Sequence, residues 1–355
     1  MMALLKKYLS VEDTANMSNS KKILITGVAG FLGSQFAKWV HTNHPEIEIH
    51  GIDNFSCGYP ENIPDYVNFT ELSLGNHSSL PYDHTFEYVF HFAAYAAEGR
   101  SPFIRCYNYR DNILATAQIV NHCINNGTKR LVYTSSMAVY GQGSPPFDEL
   151  NECYPIDPYG VAKYACEMDI QIAGTQHDLD WCIIRPHNVF GVGQCIWNDY
   201  RNVLGIWMRQ ALMDMPLRIY GNGKQERAFS YIDDMLPCLW RAAVYPQASK
   251  QIINLGGSKN VSINQAANVL RNVIGDPTLP VEYTEPRHEV FYAWSTTQKS
   301  EELLDYQEHV GLYQGLRTMW DWAKTVWDKY PQRQTLKDPL QGRSEITKGL
   351  YSYWQ

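Results

Sequence analysis

Short apolar runs alternate with amphipathic stretches over the first half of the chain. Lys22-Ile23-Leu24-Ile25 leads into Thr26-Gly27-Val28-Ala29-Gly30-Phe31-Leu32-Gly33, and Phe31 to Val40 then has helical spacing. The order is buried strand, tight glycine turn, helix. A second strand, Glu48-Ile49-His50-Gly51-Ile52, ends in Asp53. Further strands are predicted at Tyr66 to Thr70, Glu87 to His91, Arg130 to Thr134 and Trp181 to Arg185, with helices at Asn112 to Asn126 and Tyr159 to about Gln176. Continuous apolar strands separated by amphipathic helices predict an α/β fold. Its sheet is parallel, doubly wound and covered on both faces, with ligand at the carboxyl ends of the strands.

After Arg185 glycines, prolines and aromatics become dense and the periodicity weakens. A helix is predicted from near Arg201 to about Met213, a strand at Ile252 to Leu255, and a helix at Ile263 to Ile274 with Ser262 as its N-cap. The expected division is an extension at 1–20, a nucleotide-binding domain at 21–187 and a smaller lobe with the tail at 188–355, strands returning to the sheet near 230 and at 252–255. The extension puts Leu4, Leu5, Tyr8 and Leu9 on one helical face but lacks the apolar centre of a signal peptide. Trp320, Trp322 and Trp327 predict core or interface packing in the last helix, and Tyr351, Tyr353 and Trp354 predict a docked tail.

Bulk properties narrow the function. The 355 residues carry a net charge of −7 with no long basic run, which argues against nucleic acid as a partner. No stretch approaches eighteen continuous apolar residues, so no membrane-spanning helix is expected. Eight scattered cysteines without a C-x-x-C pair read as reduced thiols in a cytoplasmic protein. No His, Cys and carboxylate cluster has the spacing of a metal site.

The chemistry-bearing residues lie at the strand ends. The turn Gly27-x-x-Gly30-x-x-Gly33 aims backbone N–H groups and a helix N-terminus at a pyrophosphate. Asp53, twenty residues after Gly33, is positioned to accept both hydroxyls of an adenosine ribose. Tyr159 and Lys163 share one helix face, where an ammonium favours phenolate, and Thr134-Ser135-Ser136 closes a strand with hydroxyls. Alone, a Tyr-x-x-x-Lys pair is better read as a solvated helix pair; beside a glycine turn and a Ser-Ser strand end it reads as a proton-transfer site. His91 ends a buried strand and reads as a core histidine, whereas His187 is open between core and site.

These motifs are joined by His91-Phe92-Ala93-Ala94, Ser135-Ser136-Met137-Ala138-Val139-Tyr140-Gly141, Arg185-Pro186-His187-Asn188-Val189-Phe190-Gly191 and Arg227-Ala228-Phe229-Ser230-Tyr231-Ile232-Asp233-Asp234. The collinear set, over about Lys21 to Leu304, resembles the extended short-chain dehydrogenase/reductase superfamily in its NAD-dependent nucleotide-sugar epimerase/dehydratase branch. The resemblance implies a Rossmann domain with a smaller C-terminal substrate lobe and NAD as cofactor, Asp53 being unsuited to a 2′-phosphate. It implies that Gly27, Gly30, Phe31, Leu32 and Gly33 carry the pyrophosphate, that Asp53 and Asn54 hold the adenosine side, and that Ala93, Ala94 and Ser135 line the cofactor, with Asn112 buttressing that wall on the cofactor-binding side. Tyr159 is the implied acid/base, Lys163 the ribose ligand, and Ser136 the hydroxyl that meets the sugar. Asn188, Arg227 and Arg287 are implied diphosphate ligands, each arginine alternatively forming a surface salt bridge.

Departures from the family pattern narrow the reaction. Met137-Ala138 stand where the dehydratases carry Asp-Glu, the decarboxylases usually a glutamate at the second position, and a 3,5-epimerase a cysteine at Ala138. What is left supports C4 epimerisation of an NDP-hexose, UDP-sugars favoured. The resemblance further implies a homodimer that pairs the helices at 112–126 and 159–176. Net oxidation or reduction of a nucleotide sugar, an epimerase acting on a GDP- or CDP-sugar, and a non-catalytic NAD-binding scaffold are the alternatives. Ala293 falls at the family's sugar-size position if Lys299 fixes the register, and would admit N-acetylated sugars. Glu98 has no counterpart in the common epimerase pattern; it contacts sugar hydroxyls or pairs with Arg100.

Overall fold

The computed structural model describes residues 21–77, 79–198, 200–334 and 344–346. The extension at 1–20 and nearly all of the tail from Asp338 lie outside the described residues. In the first half the chain runs β1 (Lys22–Thr26), α1 (Phe31–Asn43), β2 (Glu48–Asp53), β3 (Asn68–Glu71), β4 (Tyr88–His91), α2 (Arg105–Tyr109), α3 (Ala115–Asn126), β5 (Arg130–Thr134), α4 (Pro158–Gln176) and β6 (Trp181–Pro186). In the second it runs β7 (Val189–Phe190), α5 (Val203–Leu212), β8 (Leu217–Tyr220), β9 (Glu226–Ala228), β10 (Ser230–Tyr231), α6 (Ile232–Val244), β11 (Gln251–Leu255), β12 (Asn260–Ser262), α7 (Ile263–Ile274), β13 (Val281–Thr284), β14 (Tyr292–Ala293), α8 (Gln298–Leu304) and α9 (Leu312–Lys329).

Seven strands form one parallel sheet in the order β11-β6-β5-β4-β1-β2-β3. Chain order reverses at β1, the switch point where doubly wound sheets open a ligand crevice. Both faces are dry. Phe36 and Val40 of α1 and Met235 and Leu239 of α6 cover one, Ile119 and Cys123 of α3 and Cys166 and Ile170 of α4 the other. This is the doubly wound α/β fold expected from the unbroken apolar strands.

The helix predicted to begin at Asn112 begins earlier. A π-turn over Arg110–Leu114 joins α2 to α3, and Gly127 ends α3 in the left-handed region. α4 opens at Pro158 because Asp157 caps it, its Oδ1 accepting the Gly160 N–H at 2.9 Å. Ser262 caps α7 in a reciprocal capping box with Gln265.

The strand expected to return to the sheet near 230 does not reach it. Ser230–Tyr231 pairs with Val189–Phe190 in a separate two-stranded ribbon, because β11 already occupies the sheet edge beside β6 and α6 begins at the next residue. The second lobe is built on two further small sheets, β12-β9-β14 and β13-β8. They pack with α5, α7 and α9 around Trp207, Leu270 and Leu316. Trp327 of α9 stacks on Trp197 at 5.3 Å within that core.

Candidate active site

The carboxyl ends of β1, β2, β4, β5 and β6 face a cleft of about 890 Å³, closed on its far side by the second lobe. Its floor is the glycine turn. Gly27 has φ +74°, and a Cβ there would lie 2.8 Å from the Ala93 nitrogen; a Cβ on Gly33 would collide with the Gly27 carbonyl oxygen. Gly27 N–H donates to Ile52 O and Gly30 N–H to Gly27 O, so both serve the turn itself. No side chain caps α1, which leaves the N–H groups of its first turn, Phe31 and Leu32, for an anion.

Asp53 locks the turn to β2. Its Oδ2 accepts Ala29 N–H at 3.0 Å and its Oδ1 accepts Phe55 N–H at 2.8 Å. Burial pushes the carboxyl above its usual value while these backbone donors pull it down. Beneath the cofactor wall runs a directed relay. Ala93 N–H donates to Thr26 Oγ1, Thr26 O–H to His91 Nδ1, His91 Nε2–H to Thr116 Oγ1, and Thr116 O–H to the Asn112 carbonyl. The last acceptor is a carbonyl, which fixes every direction upstream, so His91 is the neutral Nε2–H tautomer. Burial holds its pKa down to about 3.

On the next wall Tyr159 and Lys163 stand one turn apart on α4, both buried and both lining the cleft with Ser136. Lys163 Nζ donates to Thr134 O at 2.7 Å and lies 5.9 Å from the Tyr159 ring centre. Burial lowers the ammonium to about 8. The phenol is pushed above its ordinary value, by burial first and the Glu98 charge second; a hydrogen bond with Ser136 and the Arg201 charge act the other way. The expected lowering by Lys163 is therefore not the dominant influence, because burial penalises a phenolate more than these neighbours favour it. Ser135 has its hydroxyl committed to Glu167, which also takes a two-pronged bond from Arg185.

The opposite wall comes from the second lobe. Asn188, with φ +42°, donates through Nδ2 to Ala228 O at 2.9 Å. Arg227 lines the cleft from β9 while its guanidinium holds the carbonyls of Val290 and Phe291 and the Glu289 carboxylate. The Arg287 guanidinium sits over the Tyr220 ring, its Cζ 3.5 Å from the ring centre.

The model of the NAD dependent epimerase/dehydratase family matches residues 23–256, from the first strand through the last strand of the sheet. The chain belongs to that family. Members of the NAD-dependent epimerase/dehydratase family are also its structural neighbours. It superposes on UDP-glucose 4-epimerase with UDP-glucose from Thermotoga maritima with a TM-score of 0.79 and 27% identity, covering 86% of this chain and 99% of that one. UDP-glucuronic acid 4-epimerase from Bacillus cereus, in complex with UDP-glucuronic acid and NAD, gives 0.78 at 27% identity and the same coverage. A UDP-N-acetyl-alpha-D-glucosaminuronate decarboxylase of Bacillus cytotoxicus is 26% identical over 86% of this chain and 98% of its own.

The cofactor of this family member is NAD. The residues present fit it: the cradle at Gly27 and Gly33 admits no side chain, the uncapped helix faces the cleft, and an acceptor-only carboxylate ends β2.

Of the residues singled out in the sequence, Gly27, Gly30, Phe31, Leu32, Gly33, Asp53, Asn54, Ala93, Ala94, Glu98, Ser135, Ser136, Tyr159, Lys163, Asn188, Arg227 and Arg287 line this one cleft. Two do not. Asn112 is buried behind the wall, where its Nδ2 donates to Asn108 and to Tyr95 O. Ala293 packs against the cluster of Met137, Val139, Tyr140 and Phe147, and the wall expected there is made by His288, Glu289 and Val290. The run before β14 has no periodicity from which its register is readable. His187 resolves as a core residue: burial lowers it to about 4, and its Nε2 meets Ser295 Oγ at 2.9 Å.

Sequence reasoning missed Asp157, Tyr200, Arg201, Arg218, Tyr220 and Gln225 in the lining. Asp157 was signalled by Asp-Pro at a helix start, and Arg218 and Tyr220 by the apolar–polar alternation of Leu217-Arg218-Ile219-Tyr220. Tyr200 and Arg201 lie in an aperiodic segment that carries no such signal. Among the described residues no helix is long and apolar enough to cross a membrane.

Proposed function

We propose that this chain is an NAD-dependent nucleotide-sugar epimerase acting at C4 of a UDP-hexose. The observation that carries the reading is the meeting, in one cleft, of the glycine turn, the Tyr159–Ser136–Lys163 wall and the Asn188–Arg227 wall. A nucleotide sugar with its diphosphate toward Asn188 and Arg227 brings its ring to the Tyr159 phenol. Ser136 hydrogen-bonds the sugar hydroxyl, and Tyr159 acts as the phenolate, the form that Lys163 and the positive charge of bound NAD would favour, accepting that proton and later returning it. Lys163, buried and cationic below about pH 8, supports negative charge on the phenol and hydrogen-bonds a neighbouring ribose. NAD, when bound, supplies the two-electron acceptor that lets the carbinol carbon pass through a ketone and return. Met137 and Ala138 leave no further acid or base beside Ser136 for elimination or decarboxylation.

The sugar-nucleotide complexes of the structural neighbours support UDP as the nucleotide. Leu114, Val161, Met168 and Ile172 are exposed on adjoining helical faces, an apolar stripe that suits pairing of the α4 region between two copies. We read the enzyme as a homodimer on that ground. The test of the reaction is NMR of UDP-hexoses incubated with purified enzyme. A mixture of C4 epimers without net NADH is expected; accumulated NADH, or a product short of water or carbon dioxide, overturns it.

A further inference from the structure

One carboxylate in the cleft has no part in that mechanism. Glu98 opens the short turn Glu98–Phe103 just after the cofactor wall. The turn is tied to the catalytic helix by a single hydroxyl: Ser101 Oγ donates to Glu98 O at 2.8 Å and accepts Tyr159 N–H at 3.2 Å. Glu98 and Tyr159 are thereby held in fixed relation. The Glu98 side chain points into the open cleft, reachable by solvent there yet surrounded by protein, and among the described residues no donor makes a hydrogen bond to its carboxylate.

The groups around it come from both walls. Asp157 and Tyr159 stand on its own side, with Lys163 behind them; Arg227 and Glu289 face it from the second lobe, beside His288, and Arg201 reaches in from the 200-loop. The neighbouring acids already have partners. Asp157 caps α4, and Glu289 takes Arg227 and Gln225. A sugar lying between the Arg227 wall and the Tyr159 phenol passes the one carboxylate left without a donor.

Resting on the reading above, we propose that Glu98 sets the substrate class by charge. It accepts hydrogen bonds from the hydroxyls of a neutral hexose and admits a uronic sugar only when the site takes up a proton. The physical ground is crowding. A uronate would add a further carboxylate to Glu98, Asp157 and Glu289, which already share one cleft. Glu98 itself is raised to about 7, by burial first and by Asp157 next, with Arg227 pulling it down and Glu289 pushing it up. Asp157 and Glu289 are engaged by donors and Glu98 is not, so Glu98 is the group placed to take up the proton. Specificity by an unfavourable contact with the wrong ligand is a general device. The sign follows: uronate affinity falls as pH rises above about 7, by about tenfold per unit for one linked proton, while neutral-hexose affinity does not fall.

The experiment is calorimetric binding of UDP-glucose and UDP-glucuronic acid to the NAD-loaded enzyme between pH 6 and 8.5, for wild type, Glu98→Gln and Glu98→Ala. Wild type is expected to prefer UDP-glucose at least tenfold at pH 8, with the sloped uronate profile. In Glu98→Gln the uronate is expected to bind about tenfold more tightly at pH 8 and to lose its slope. Equal wild-type affinities at pH 8, or a uronate slope that survives both substitutions, overturns the proposal and leaves the epimerase reading standing. Failure of wild type to bind either nucleotide overturns both. The wild-type pH series needs no variant to fold.

Discussion

The two walls of the cleft are built on different principles. On the cofactor side each residue is placed by a repeating local pattern: β1 and β2 pair in register with Thr26 opposite Ile52, so Asp53 emerges one residue beyond the strand that carries the turn. On the substrate side Arg227 sits on a three-residue strand held by partners at 260–262 and 292–293 and by carbonyls more than sixty residues away. The first wall is specified by neighbours in sequence, the second by loops that meet only in the folded chain. A regular sheet edge fixes the shared chemistry, and an irregular lobe sets what that chemistry acts upon.

Substitutions on the cofactor side are expected to be the more drastic. Tyr159→Phe removes the proton carrier but none of the backbone bonds around α4. Turnover should fall by about 10²–10⁴ while melting temperature and NAD content stay near wild type; single-turnover kinetics and released-cofactor analysis check this. Gly33→Ala drives a methyl into the Gly27 carbonyl, a backbone atom that cannot step aside. A loss of about 1–3 kcal/mol in denaturant unfolding and a marked loss of retained NAD are expected. Wild-type cofactor retention would break the claim that close helix–turn packing makes the cradle.

The smallest effect is graded. His91 and His187 are buried neutral, held at about 3 and about 4 against an ordinary 6.5. Below pH 6.5 the unfolded chain takes up protons that the folded chain refuses. Stability is therefore complete above 6.5 and lost as pH falls toward 4, each histidine contributing at most about 1.4 kcal/mol per unit. Urea titrations from pH 7 to 4.5 measure the slope, and His91→Gln should reduce it.

The same contrast explains what the sequence disclosed. β1, the glycine turn and Asp53 were legible because unbroken apolar runs, glycine spacing and a terminal acid each have one physical reading. Tyr159 and Lys163 were legible as a helical pair with four-residue spacing. Ala293 was misjudged because its position relative to the cleft depends on how the aperiodic run 285–291 folds over β9, which no periodicity encodes. The strand near 230 was misjudged for a related reason: competition for the edge beside β6 is decided by β11, twenty residues further along. Tyr200 and Arg201 left no local trace at all.

The central claim is that Tyr159 moves only the hydroxyl proton, while the hydrogen on the same sugar carbon never reaches water. UDP-glucose carrying deuterium at C4, incubated with the enzyme in ordinary water, tests it directly by NMR. Deuterium retained at C4 in both epimers is the expected result. Washout of that label into solvent, or interconversion accompanied by exchange at C4, would contradict the account.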